Sequence, residues 1–165
     1  GRWVPASKGP HSETAGELIE RVTRYGEDLG ASVGWHDEAA GAWIRFNPLD
    51  GQGVRNANVA EFRHALVESD EMDVGRQLGI IEELRLPVAA LVHSGNKSLH
   101  AIVRVDAADY AEYRKRVDTL YAECAKAGLK VDTQNKNPSR LSRRLWPDAP
   151  RSAKLPRRRV RTTPN

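Results

Sequence analysis

Apolar residues in this chain recur with two different periods. In SETAGELIERVTRYGEDL, residues 12–29, Leu18, Val22, Tyr25 and Leu29 return at helical spacing, and Thr14 followed by Glu17 has the form of a capping box. The pattern predicts a helix that stops near Gly30. ASVGWHDEAAGAWIRFNP then changes to short runs around Ala40 and Gly41, which predicts a hairpin with strands near 32–36 and 42–46. Residues 48–58, rich in Gly, Asn and Asp, read as a loop.

From residue 60 the two periods alternate. EFRHALVESD is strand-like, with Phe62, His64, Leu66, Glu68 and Asp70 on one face and Arg63, Ala65, Val67 and Ser69 on the other. VGRQLGIIEEL reads as a helix, VAALV as a buried strand and SLHAIVRV as another. DAADYAEYRKRVDTLYAECAKAG is a long amphipathic helix stopped by Gly128; LKVD is a short strand, NKNPS a turn and RLSRRLW a last strand. This order, β-α-β-β-α-β, is that of the split βαβ unit. The expected fold class is α+β: a mixed or antiparallel sheet with an RNA-recognition-like core, preceded by a helix and a hairpin. Helices cover one face of the sheet, and the other stays open to ligands.

Composition narrows the class. A chain of 165 residues, 39% apolar and 29% charged, suits one compact domain, and no apolar run approaches the roughly 18 residues that span a bilayer. Residues 1–11, GRWVPASKGPH, lack the apolar stretch of a secretory signal and read as a flexible leading segment. The domain is expected over 12–147, with 148–165 as a basic tail or linker. Cys124 is the only cysteine, which argues against a disulfide framework and against cysteine-held zinc, and favours a reducing, cytoplasmic setting.

Charge changes the picture more than composition does. Residues 139–165 carry nine Lys/Arg against the single acid Asp148, while residues 1–138 carry 17 Lys/Arg against 21 Asp/Glu. A mildly acidic body with a concentrated positive end points to nucleic acid or nucleotide phosphate as partner, through counterion release. A solvated basic tail is the plainer reading of Arg157–Arg159.

Four stretches carry candidate chemistry. Glu68 and Asp70, two apart on a strand, project the same way and suit a pair of divalent cations; a solvated loop capping the next helix is the alternative. Asp132 ends the LKVD strand, where a turn role is the ordinary reading, but a neighbouring position in the sheet would bring it to the other two acids. In VHSGNKSLHAIV, amides around Gly95 can form an anion nest, Ser94 and Ser98 can donate hydroxyls, and Lys97 adds a point charge. His100 follows on the face shared with Ile102 and Arg104. In NPSRLSRRLW, Arg140, Ser142 and Arg144 alternate on one face, and Leu141, Arg143 and Leu145 on the other. Such arginines hold phosphates bidentately, or simply protect an edge strand.

Taken in order, ESDEM, SGNKSLHAIV and VDTQNKNPSRLSR resemble the archaeo-eukaryotic primase superfamily. The likeness is closest to the primase-polymerase domains of phage and plasmid replication proteins, and runs from about Ala42 to Trp146. The resemblance implies that Glu68, Asp70 and Asp132 are the catalytic acids and hold two Mg2+ or Mn2+ ions. It further implies that Ser94, Gly95, Lys97 and His100, with Arg140 and Arg143, bind the triphosphate of an incoming NTP or dNTP. Zinc is not expected. Arg144, Arg151 and Lys154 of the basic end would track a single-stranded DNA template, and a helicase domain or subunit is the implied partner; the membrane is not. Here SRRLWP stands where relatives read SRLPG. Two other readings are a non-catalytic RNA-recognition-like module for single strands, and a rolling-circle nuclease using Tyr110, Tyr113 or Tyr121. The first is weakened by the lack of an aromatic pair in RHALVES and SLHAIVRV, the second by helix tyrosines that suit packing onto the sheet.

Overall fold

The computed structural model describes residues 13–26, 28–33, 43–93 and 99–143. Helix α1 (Ala15–Tyr25) starts at the expected capping box: the Thr14 hydroxyl accepts from the Glu17 N–H at 3.2 Å, and the Glu17 carboxylate accepts from the Thr14 N–H at 2.7 Å. The expected hairpin is corrected. At 32–33, where its first strand was to start, the chain is the end of a short helix, α2 (Leu29–Val33), because Asp28 accepts from the Ala31 N–H at 2.8 Å and draws the backbone into a helical turn; the rest of that strand and the turn at Ala40 and Gly41 lie outside the described residues. Its second strand forms as β1 (Trp43–Arg45), but β1 pairs antiparallel with β5 (Leu141–Arg143). Trp43 lies opposite Arg143, Ile44 opposite Ser142 and Arg45 opposite Leu141.

The main sheet is antiparallel. Strands β2 (Phe62–Val67), β3 (Val88–His93) and β4 (Leu99–Ala107) stand in the order β2-β4-β3, with helix α3 (Val74–Glu83) between β2 and β3 and helix α4 (Tyr110–Lys126) after β4. The protein is thus α+β. Ala65, Val67, Leu99, Ala101, Val103 and Val105 turn one face to Ile80 and Ile81 of α3 and to Tyr113, Val117, Tyr121 and Cys124 of α4. These α4 residues recur every three or four positions, so one stripe of the helix is apolar, and each large side chain buried contributes about 1.5–3 kcal/mol. A bulge between Phe62 and His64 breaks the expected alternation: Phe62 packs against Tyr110 and Tyr113 on the helix side, away from the face of His64 and Leu66.

No fourth strand forms at 129–132. Gly128, at φ 85°, ends α4 in a Schellman turn, in which its N–H meets the Ala125 carbonyl at 3.0 Å and the Leu129 N–H meets that of Cys124 at 2.8 Å. Leu129 drops into the core, and the chain then reaches the free edge of β2. That edge takes its partners one at a time. The His64 carbonyl accepts from the Asn47 amide at 2.8 Å, the Leu66 carbonyl from the Tyr121 hydroxyl at 2.6 Å, and the Glu68 carbonyl from the Asp132 N–H at 2.9 Å. Two side chains and one backbone N–H, from three separate segments, thus do the work of a strand ladder.

The second face of the sheet is covered where it was expected to be open. Leu66, Val92, His100 and Ile102 are all buried, yet none belongs to the helix-side core. The cover is the β1–β5 ribbon, which Asn47 fastens: besides His64, its amide donates to the Pro138 carbonyl at 3.0 Å, and its oxygen accepts from the N–H groups of Arg63 and His64 at 3.0 and 2.8 Å.

Candidate active site

Strand β2 ends at Val67, earlier than the alternation of EFRHALVESD suggested, and Glu68 is the first residue beyond it. Its side chain continues the face of Leu66, while Asp70 sits in an exposed bend before the Asp73 cap of α3. Asp132 arrives from the other direction. Its backbone is bonded to Glu68, and its Oδ1 accepts from the Gln134 N–H at 2.9 Å, capping a 3-10 turn (Thr133–Lys136) in place of the expected strand end. From that turn the fully buried Asn135 donates Nδ2–H to Glu68 Oε2 at 3.2 Å.

The charges feel one another. Burial first, and then the nearby charges of Asp70 and Asp132, push the Glu68 carboxyl above the usual carboxylate range; Arg140 and the Asn135 hydrogen bond pull the other way. The sequence-identified acids Glu68, Asp70 and Asp132 and the arginine Arg140 therefore share one electrostatic environment, although they come from opposite ends of the domain.

His100 completes the cluster from β4. Its Nε2 is 3.4 Å from Glu68 Oε2, and its Nδ1 is 3.0 Å from the hydroxyl of Ser142 on β5. A carboxylate beside Nε2 favours the proton there, which makes Nδ1 an acceptor for the Ser142 O–H. Hydroxyl, imidazole and carboxylate in a row resemble a nucleophile–base relay, but Ser142 is 2% exposed, which keeps a substrate carbonyl from its oxygen. The row instead fixes the imidazole against Glu68 and ties the ribbon to the sheet.

The tyrosines are structural. Tyr113 and Tyr121 are buried with their phenols pushed upward by burial, and Tyr121 is spent on the Leu66 carbonyl. Tyr110 stacks on Tyr113. Ser94, Gly95, Lys97, Arg144, Arg151 and Lys154 lie outside the described residues. Arg143 is placed by its backbone alone, opposite Trp43.

The donor set suits a hard cation: three carboxylates, no thiolate, and mutual repulsion that a positive ion relieves. Glu68 Oε2 and Asp132 Oδ1 are engaged, whereas the other oxygen of each accepts no hydrogen bond among the described residues. In the arrangement seen, no three His, Cys, Asp or Glu side chains among the described residues form a group that holds a metal ion.

No family model, curated protein or solved structure matches the chain. No helix among the described residues is long and apolar enough to cross a membrane. Asn135 and Asn47 belong to the site's framework but were not singled out by sequence. Asn135 lies three residues beyond Asp132 and Asn47 within WIRFNP, so proximity to the motifs was the one available signal.

Proposed function

We propose that this chain is a primase-polymerase domain: a DNA-dependent nucleotidyltransferase that makes or extends primers on single-stranded DNA. The observation that carries the reading is the meeting of Glu68, His100 and Asp132, one from each of three motifs far apart in sequence, with His100 Nε2 3.4 Å from Glu68 and the Asp132 N–H on the Glu68 carbonyl. In this reading Glu68, Asp70 and Asp132 hold Mg2+ or Mn2+. Such ions supply charge neutralisation at the triphosphate and activation of the attacking 3′-hydroxyl. Asn135 and His100 keep Glu68 oriented. Arg140, close enough to lower the Glu68 pKa, neutralises charge beside the acids and binds nucleotide phosphate; the basic end follows the template.

The test is synthesis of new strands from labelled ribo- and deoxynucleotides on a single-stranded template, with Mg2+ or Mn2+. Activity in the wild type, lost in Asp70→Ala and His100→Ala, is expected. Undiminished synthesis in both variants, or none in the wild type under any of these conditions, would sink the proposal.

A further inference from the structure

We propose that Trp43 and Arg45, on the face of the β1–β5 ribbon opposite Ser142, form a contact site for single-stranded nucleic acid, Arg45 taking a backbone phosphate and Trp43 stacking on a base. The proposal rests on the polymerase reading only for its biological setting.

The guanidinium of Arg45 is anomalous. It is half-buried, and its Nε is sealed from solvent with no hydrogen-bond acceptor. No carboxylate among the described residues comes within ion-pair distance of it, although eight other Lys, Arg or His side chains do have such partners. Burial lowers its pKa, with no neighbouring charge among the described residues to offset the effect. A desolvated arginine with no counter-charge is costly to keep and destabilises its own fold, which is the mark of a group whose partner is a ligand.

Register identifies the ligand. Directly opposed residues share a face and successive residues alternate, so Ser142 and Ile44 belong to one face of the ribbon, and Arg45, Leu141 and Trp43 to the other. Ser142 touches His100; the anion held by Arg45 is therefore on the far side of the ribbon from the acids, separate from a phosphate beside His100. Trp43, two residues away on the Arg45 face, is 37% exposed despite its size. An exposed indole beside an uncompensated guanidinium matches the alternation of base and phosphate in an unpaired strand, where stacking supplies affinity and arginine neutralises the backbone.

The test uses the whole chain and a fluorescein-labelled oligodeoxythymidine, with anisotropy read at several salt concentrations, without nucleotide or divalent cation. Arg45→Met is expected to weaken binding about tenfold at low salt and to reduce the slope of log affinity against log salt by about 0.7, the value for one phosphate on a single strand. Trp43→Ala is expected to weaken binding by about fivefold or more, and Trp43→Phe to restore most of the loss. Arg45→Met should melt at or above the wild-type temperature, since it removes an uncompensated charge. Oligonucleotide binding unchanged in Arg45→Met and Trp43→Ala would overturn the proposal. So would a loss confined to nucleotide binding, or a fall in melting temperature that accounts for the loss. If Arg45→Met binds like wild type while His100→Ala abolishes synthesis, this inference alone fails. If the wild type synthesises nothing yet loses oligonucleotide binding in Arg45→Met, the polymerase reading alone fails.

Discussion

The backbone N–H of Asp132 donates to the carbonyl oxygen of Glu68 at 2.9 Å, so the two acids are joined through main chain. Their side chains are then free to repel. The hydrogen bond fixes where the carboxylates start, while Asn135 and His100 restrain one of them, and the remaining mismatch of charge is what a cation or a proton relieves.

A proton should relieve it measurably. Burial, reinforced by Asp70 and Asp132, places the Glu68 carboxyl above its unfolded value. A raised carboxyl contributes stability that is complete below the unfolded pKa, about 4.3, and is lost as pH rises through the folded pKa. Glu68→Gln should therefore melt above the wild type at pH 7, by on the order of 2–4 °C, with the gap closing towards pH 4. A gap independent of pH would show that Glu68 does not titrate in this window.

Cations should act on the same mismatch. Mn2+ or Mg2+ is expected to raise the wild-type melting temperature; the stabilisation reaches about 2.7 kcal/mol at one hundred times the dissociation constant. Asp70→Asn and Asp132→Asn should flatten that response. A wild type whose melting temperature ignores both metals would remove them from the site.

Asn135 is expected to matter through its hydrogen bond to Glu68. Asn135→Ala deletes the bond to Glu68 Oε2 and should cost about 1–3 kcal/mol in urea unfolding, with Mn2+ affinity falling roughly tenfold. Wild-type metal affinity in a destabilised Asn135→Ala would assign the residue to packing alone.

The two buried tyrosines of α4 should respond oppositely to loss of their hydroxyls. Tyr121→Phe leaves the Leu66 carbonyl without its donor and should destabilise by about 1 kcal/mol. The Tyr113 hydroxyl is buried without a partner, so Tyr113→Phe should be neutral or stabilising. Urea midpoints for both variants decide it, and equal losses would contradict the edge-capping role of Tyr121.

Local pattern carried much of the architecture. Thr14 and Glu17 announced α1, the long amphipathic pattern ending at Gly128 announced α4, alternation announced β2, and the apolar runs of VAALV and SLHAIVRV announced β3 and β4. The misreadings fell where a short polar side chain competes with regular structure: Asp28 makes the start of the expected first hairpin strand, residues 32–33, the end of α2, and Asp132 turns a strand end into a 3-10 turn. The candidate acids were legible as motifs, whereas Asn135 and the contact of Ser142 with His100 were not, because a polar residue looks the same in sequence whether it is buried on a functional group or facing water.

The sequence by itself determined α1, α3, α4 and the three strands of the main sheet, and which residues bring carboxylate, imidazole and guanidinium to the chain, since these depend on near neighbours and side-chain chemistry. Only the tertiary structure decided that β1 pairs with β5, that Asn47, Tyr121 and Asp132 replace a fourth strand along β2, and that Arg45 and Ser142 take opposite faces of one ribbon. Register and burial are set by contacts between distant segments, where a shift of one residue turns every side chain to the other face.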